Sequence, residues 1–169
     1  VNYYDTAYGY HEGQSERVVG RMLKRYPRDS FYVATKLPMY MITTLAQAKE
    51  IFAEQLQKLD MDHVDFFLLH TLNQRYFDIA VKEGIIEYCE QLKKEGKIRF
   101  LGFSFHDEYE QFERILQYRD WDFCQIQLNY HDRRFQAGER GYRLAAEKGV
   151  PVVVMEPVKG GQLSSLPAN

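Results

Sequence analysis

The chain has 169 residues, of which 45% are hydrophobic and 27% charged, and this composition is typical of one globular domain rather than a disordered segment. Lysine plus arginine total 22 and aspartate plus glutamate total 24, so a net charge of -2 argues against nucleic-acid binding. No apolar stretch approaches the ~20 residues of a membrane-spanning helix, and two cysteines make no disulfide scaffold, so we expect a cytoplasmic protein without membrane contact.

Apolar runs typical of strands alternate with stretches of helical periodicity. In chain order the sequence predicts a strand at 1–4, a helix at 15–26, a strand at 31–34, a helix capped by Thr43 or Thr44 and ending at 59, a strand at 64–69, a helix at 83–95, a strand at 98–103, a helix that begins at 107, a strand at 123–128, a helix at 139–148 and a strand at 152–155. Strands joined by helices indicate parallel βαβ units, and strands apolar at nearly every position indicate a sheet covered on both faces. The fold class is therefore α/β.

The segment after the first strand distinguishes two α/β architectures. A doubly wound sheet usually carries the Gly-rich fingerprint GxGxxG there, whereas this chain has DTAYGYHEG. We therefore favour a (β/α)8 TIM barrel. Because such a barrel averages ~250 residues, or about 31 per unit, this chain corresponds to five or six units and to an incomplete barrel, a partial domain over residues 1–169.

Polar residues close the apolar runs. They are Asp5, Lys36, His70, Ser104, Gln125 and, after Met155, Glu156. In a barrel the catalytic groups lie where the strands end, so we expect all of them around one mouth. Asp5 and Lys36 come from adjacent strands and can pair, which would leave a partly buried cation beside any phenol or imidazole in the same site.

Tyr10, five residues after Asp5, supplies such a phenol. A neighbouring ammonium is expected to lower its pKa, and a neutral imidazole can bond to the same oxygen, so Tyr10 with Lys36, Asp5 and His70 forms a plausible general-acid group. Taken singly, each residue has a simpler explanation as a turn, surface or core residue. The repeated placement at strand ends favours the shared site.

Two further features carry alternatives. Lys159 with Gly160 and Gly161 offers a cation and backbone N–H groups to a phosphate, or is a plain turn between strand and helix. A metal-dependent hydrolase is the weaker alternative, because its candidate ligands show no HxH or HExxH spacing. Those candidates are His70, His106, His131 and Asp107.

Five segments resemble the aldo-keto reductase family. They are NYYDTAYGYHEGQSE, VATK, VDFFLLH, GKIRFLGFS and CQIQLNY, in this order and over essentially the whole chain. The resemblance implies a (β/α)8 barrel that binds NADPH, with NADH as the other possibility, and reduces small aldehydes or ketones by hydride transfer. A redox-sensing or accessory module that holds the cofactor with little turnover is the alternative. The substrate is not defined, and the oligomeric state is open.

The resemblance also implies residue roles. Asp5, Tyr10, Lys36 and His70 would form the catalytic tetrad, with Tyr10 as proton donor, and Ser104 and Gln125 would hold the nicotinamide carboxamide. The remaining cofactor positions are Met155, where the nicotinamide often stacks, and Glu156, Pro157, Val158 and Lys159 along the pyrophosphate. Phe105 replaces an Asn that many members have, and Met155 lacks an aromatic face.

The SFH and MEP variants resemble a subgroup whose members often carry a Cys-rich, iron-sulfur-like segment near the C-terminus. This chain has no such segment, so the comparison does not establish a cluster. Compared with the family barrel, the chain covers the second to seventh strands. An open barrel leaves unpaired strand edges, so we expect the chain to be part of a larger protein.

Overall fold

The computed structural model describes residues 1–164 and contains one parallel sheet in which six strands lie side by side in chain order. The strands are β1 (Tyr3–Asp5), β2 (Tyr32–Leu37), β3 (Val64–Leu72), β4 (Ile98–Phe105), β5 (Phe123–Gln127) and β6 (Val152–Met155). The helices are α1 (Ser15–Leu23), α2 (Leu45–Leu59), α3 (Gln74–Lys82), α4 (Ile85–Lys94), α5 (Tyr109–Tyr118) and α6 (Gly138–Glu147). The predicted α/β class is confirmed.

The sheet is curled, and its helices lie in the crossovers between strands. Every neighbouring pair of strands is parallel, from β1 with β2 to β5 with β6. Among the described residues β1 and β6 form the two edges, so this sheet is the incomplete barrel that the unit length predicted. The predicted domain, residues 1–169, extends beyond the described range and stays a prediction.

Four strands end later than the sequence predicted. β1 ends at Asp5, β2 at Leu37, β3 at Leu72 and β4 at Phe105, so Asp5, Lys36, His70 and Ser104 lie within strands instead of directly after them. Their polar side chains interrupt apolar runs that otherwise continue, and this made the strands look shorter.

Helix α3 was not predicted. Asn73 caps it, because its side chain accepts a hydrogen bond from the Tyr76 backbone N at 2.9 Å, and Phe77 and Ala80 bury its inner face. Gly84, with φ of 69°, separates α3 from α4, so the helix expected from residue 83 begins at Ile85. Thr44 caps α2 through a capping box with Gln47, as one of the two predicted caps.

Alternation along the strands divides the side chains between two cores. The larger core lies between sheet and helices and takes, for example, Val33, Phe67 and Phe103, whereas a smaller inner cluster takes Ala34 and Leu68. Because neighbouring residues of a strand point to opposite faces, the inner face also carries the polar residues singled out above. These are Asp5, Lys36, His70, Ser104 and Gln125, and the apolar Met155 lies on the same face.

No helix within residues 1–164 combines the length and the apolarity that crossing a lipid bilayer requires.

Candidate active site

Lys36 is the most deeply buried charged group of the inner face, with 1% of its side chain exposed. Its ammonium forms an ion pair with Asp5 Oδ1 and donates to the backbone oxygen of Thr6 at 2.8 Å. Burial lowers the pKa of Lys36, while the charge and hydrogen bond of Asp5, together with the charge of Glu16, act in the opposite direction. Adjacent strands thus place an ammonium and a carboxylate together, as the sequence suggested.

Tyr10 lies in the segment between β1 and α1, and its ring borders two of the predicted site residues. Lys36 Nζ lies 4.8 Å from the centroid of the Tyr10 ring, and the His70 ring centroid lies 5.7 Å from it at an interplanar angle of 73°. Burial raises the pKa of Tyr10, with the charges of Asp5 and Tyr40 adding to it. The expectation of a lowered Tyr10 pKa is therefore wrong, because burial and the charges of Asp5 and Tyr40 all raise it. At neutral pH Tyr10 is a protonated phenol.

His70 is a neutral imidazole at the same place. Burial lowers its pKa to about 4, with the charges of Lys36 and His106 contributing in the same direction. Its Nδ1 is buried and has no hydrogen-bond partner among residues 1–164. The structure therefore brings Asp5, Tyr10, Lys36 and His70 into one group, with an uncharged imidazole beside a protonated phenol.

Tyr40 is a second phenol at this site. Its ring centroid lies 5.9 Å from that of His70, on a short 3₁₀ turn at Met39–Met41. A Cβ on Gly9 would lie 2.5 Å from the Tyr40 hydroxyl oxygen, so the glycine makes room for this ring. The sequence alone does not identify Tyr40 as a neighbour of His70, because an exposed loop tyrosine carries no signal of what it packs against.

Ser104 and Gln125 are paired residues on adjacent strands, and both are buried. The Ser104 hydroxyl oxygen accepts from the Thr71 backbone N at 2.7 Å, which leaves its own proton free to be donated. Gln125 Nε2 donates to Asp5 Oδ2 at 3.4 Å, while Gln125 Oε1 is buried without a partner in the described part of the chain. The Ser104 hydroxyl thus offers a hydrogen-bond donor and Gln125 Oε1 an acceptor. Together they complement the oxygen and the amino group of a primary amide.

The segment after β6 lies at one edge of the sheet. Met155 is half-buried at the end of the strand, and Glu156, Pro157 and Val158 are exposed. Lys159 Nζ pairs with Asp132 Oδ2 at 2.9 Å, and this contact, together with a hydrogen bond from His131, lowers the pKa of Asp132 to about 2. The cation that the sequence offered to a phosphate is therefore engaged with a carboxylate in this structure.

The alternative metal site does not form from the described residues. Within residues 1–164 no three His, Cys, Asp or Glu side chains come together as a metal-binding group. His70, His106, His131 and Asp107 thus do not make up the ligand set of a hydrolase. Cys89 and Cys124 are both buried thiols whose pKa burial raises to about 12, so neither resembles a ligand of an iron-sulfur cluster.

Sequence reasoning missed a buried polar network behind Lys36. Its members are Glu16 in α1, Thr35 in β2 and Gln55 in α2. Glu16 occupies the first turn of a helix, where an acidic residue is usually exposed, so nothing in the sequence indicated its burial.

Known proteins resemble this chain in sequence and in fold. The model of the Aldo/keto reductase family matches residues 1–167. The chain is 29% identical over 181 residues to the NADH-specific methylglyoxal reductase of Escherichia coli (strain K12), with 97% of this chain and 54% of that protein covered. It spans about half the length of the curated relatives it matches.

Solved structures share the fold. The holo form of an aldo-keto reductase from Bacillus halodurans is 34% identical with a TM-score of 0.80, and the match covers 99% of this chain and 55% of that one. An aldo-keto reductase from Klebsiella pneumoniae, solved in complex with NADPH, is 26% identical with a TM-score of 0.75, covering 96% and 55% of the two chains. Such relatives are (β/α)8 barrels, so the six strands match part of a barrel.

Proposed function

The chain belongs to the aldo/keto reductase family, and we propose that it reduces aldehydes or ketones to alcohols with hydride from a nicotinamide cofactor, Tyr10 acting as proton donor. The observation that carries this proposal is the position of the Tyr10 ring, bordered by the Lys36 ammonium at 4.8 Å and by the neutral imidazole of His70 at 5.7 Å. An accessible phenol beside a buried cation and a buried imidazole suits proton donation to an oxygen that becomes negative.

The residues on the inner face fit a nicotinamide. Its carboxamide presents an oxygen that accepts and an amino group that donates, and Ser104 and the unpartnered Oε1 of Gln125 offer the complementary pair. Met155 would pack on the nicotinamide ring, and the segment from Glu156 to Lys159 would lie along the pyrophosphate.

NADPH is our first choice of cofactor and NADH the second. The Klebsiella pneumoniae neighbour was solved with NADPH, whereas the Escherichia coli relative is named as NADH-specific, so these relatives support both forms. Separate titrations of the intact protein with the two cofactors distinguish them. A cytoplasmic location, expected from the scarcity of cysteine, stays a prediction.

The bound cofactor would supply the hydride, and Tyr10, assisted by the other three residues of the tetrad, would donate the proton. As the carbonyl carbon accepts the hydride, negative charge develops on its oxygen, and Tyr10 donates its proton there. The raised pKa of Tyr10 keeps this phenol protonated until then. His70 orients the carbonyl through an N–H, Lys36 stabilises the tyrosinate that remains, and Asp5 keeps Lys36 charged.

The test uses the intact protein with a broad aldehyde such as a nitrobenzaldehyde. Loss of NADPH absorbance measures turnover, and the change in NADPH fluorescence measures binding. Tyr10→Phe should lower kcat by at least about 100-fold and leave cofactor binding unchanged. Tyr26→Phe, at an exposed tyrosine, is the matched control and should keep the wild-type rate.

Two outcomes would contradict the proposal. A Tyr10→Phe protein with its full rate would refute the role of Tyr10. Tight cofactor binding by the wild-type protein with negligible turnover across a carbonyl panel would favour the redox-sensing or accessory module instead.

A further inference from the structure

Glu16 is a fully buried carboxylate in the first turn of α1. Its Oε1 accepts hydrogen bonds from Thr35 Oγ1 at 2.5 Å and from Gln55 Nε2 at 2.9 Å. Gln55 Nε2 also lies 3.0 Å from the backbone oxygen of Lys36. One carboxylate oxygen therefore joins α1, β2 and α2 at the strand position that carries the buried ammonium.

The network lies on the opposite face of β2 from the Lys36 side chain. Thr35 and Lys36 are consecutive residues of the strand, so Thr35 points toward the helices while Lys36 points to the inner face. The Thr35 hydroxyl also accepts from Gln55 Nε2 at 3.1 Å, which closes the network. Any shift of Glu16 would consequently displace β2 at the residue before Lys36.

The charged groups on the helix side of Glu16 are Lys58 and Glu54 from α2, and Lys36 lies on the other face of β2. Burial raises the pKa of Glu16, and the hydrogen bonds from Thr35 and Gln55 and the charge of Lys58 oppose this. In the other direction, the charge of Glu16 raises the pKa of Lys36. Lys36 thus stands between two carboxylates, Asp5 on its own face of the sheet and Glu16 behind the strand.

We infer that Glu16 is a positioning residue for Lys36: its carboxylate ties β2 to α1 and α2 beside Lys36 and places a second negative charge behind the strand. A neutral network could join the same three elements, whereas a buried carboxylate carries a desolvation cost and adds a negative charge at this place. The inference deepens the proposed function, because a charged Lys36 beside Tyr10 is what that function requires.

Asp65 offers a matched control. It is also buried, and its Oδ2 accepts from Arg28 Nη2 at 2.7 Å and from the Val33 backbone N at 2.9 Å. Like Glu16 it ties β2 to its surroundings, but near the start of the strand. Asp65→Asn therefore removes a buried carboxylate from the same region of the fold without removing a charge that acts on Lys36.

The first experiment does not depend on turnover. The intact protein is labelled with ¹³C at lysine Cε, the Lys36 signal is assigned by its loss in Lys36→Met, and its titration is followed by NMR. Glu16→Gln should lower the Lys36 pKa, because an opposing charge nearby is removed. Asp65→Asn should leave it in place. A Lys36 pKa that moves no more in Glu16→Gln than in Asp65→Asn overturns the inference.

The second experiment follows the pH profile of kcat. The basic limb, where Lys36 loses its proton, should move to lower pH in Glu16→Gln, with the KM for the aldehyde unchanged. A protein that shows no turnover at all would count against the proposed function, while the NMR titration would still decide the role of Glu16.

Glu16→Asp covers the case in which Glu16→Gln does not fold. It keeps the charge but shortens the side chain, so the Lys36 pKa should stay near that of the wild type while kcat falls, because the shorter carboxylate no longer reaches Thr35 in β2. A Lys36 pKa that falls clearly below that of Asp65→Asn, or a kcat that does not change, overturns the inference.

Discussion

The ammonium of Lys36 faces the ring of Tyr10, with Nζ 4.8 Å from the ring centroid, and its hydrogen bonds go to Asp5 and to the backbone of Thr6. The face of an aromatic ring is its electron-rich part, so this arrangement attracts the cation without binding it to the hydroxyl. The hydroxyl proton of Tyr10 remains available, while the charge that would stabilise a tyrosinate is already in place.

Replacing Lys36 by Met tests that arrangement. The substitution removes the cation over the Tyr10 ring and leaves the Asp5 carboxylate without its ion pair, so proton donation should become more costly. We expect kcat to fall by at least about 100-fold while the cofactor binds as in wild type, measured by NADPH fluorescence. Circular dichroism establishes that the variant is folded. A folded Lys36→Met protein within threefold of the wild-type rate would contradict the role of the lysine.

The lowered pKa of His70 predicts how stability depends on pH. In the unfolded chain a histidine binds a proton near pH 6.5, whereas His70 in the fold does so only near pH 4. Between these values the unfolded state holds more protons, so the contribution of His70 is fully present above pH 6.5 and is lost as the pH falls toward 4. At pH 4.5 this loss amounts to about 2 to 3 kcal/mol of unfolding free energy.

Urea unfolding at pH 7.5 and pH 4.5 measures this effect, with His70→Asn as the comparison. Both proteins lose stability in acid because other groups also titrate, but the variant should lose about 2 to 3 kcal/mol less. Equal losses in the two proteins would show that His70 titrates normally in the fold.

Much of the candidate site could be predicted because its residues interrupt apolar strands. A sheet covered on both faces tolerates few polar residues, so Lys36, His70 and Ser104 are conspicuous in the sequence. The predicted strands were too short for the same reason, since each polar residue was interpreted as the end of a strand. Successive side chains of a strand point to opposite faces, so the spacing of these residues along the strands is enough to predict that they share one face.

The remainder depends on tertiary packing that local patterns do not encode. Glu16 begins a helix and looks like an exposed first-turn acid, and its burial follows only from the packing of α1 against β2 and α2. The raised pKa of Tyr10 likewise follows from burial and from the nearby charges of Asp5 and Tyr40, which only the folded structure brings together. Helix α3 was missed because its buried face is short and begins at an Asn that resembles a loop residue.

Tyr8 anchors the segment that carries Tyr10. Its hydroxyl donates to Glu54 Oε2 at 2.7 Å, and Lys58 Nζ lies 3.7 Å from the centroid of its ring. Tyr8→Phe removes the hydrogen bond and keeps the ring, so we expect a loss of about 1 kcal/mol of stability. We also expect kcat to fall roughly three- to tenfold, because a small displacement of Tyr10 misplaces its proton.

Tyr4→Phe is the control for this substitution, since the Tyr4 hydroxyl bonds to the exposed backbone oxygen of Val1 at 3.2 Å. It should leave kcat unchanged. If Tyr8→Phe and Tyr4→Phe have the same kcat, the anchor does not position Tyr10.

Gly20 marks the closest approach between α1 and α2. A Cβ at this position would lie 2.3 Å from the backbone oxygen of Leu59 and 2.9 Å from its Cα, and backbone atoms of a packed helix cannot move aside as a flexible side chain can. Alanine in place of glycine within a helix ordinarily gains up to about 1 kcal/mol. Here we expect Gly20→Ala to destabilise the protein by about 1 to 3 kcal/mol, because the overlap outweighs that gain.

Arg21→Ala, at the exposed neighbour, should change the unfolding free energy by no more than about 0.5 kcal/mol. Because α1 also carries Glu16, the displaced helix should slow turnover in Gly20→Ala as well, and a variant as stable and as active as wild type would show that the two helices are free to separate.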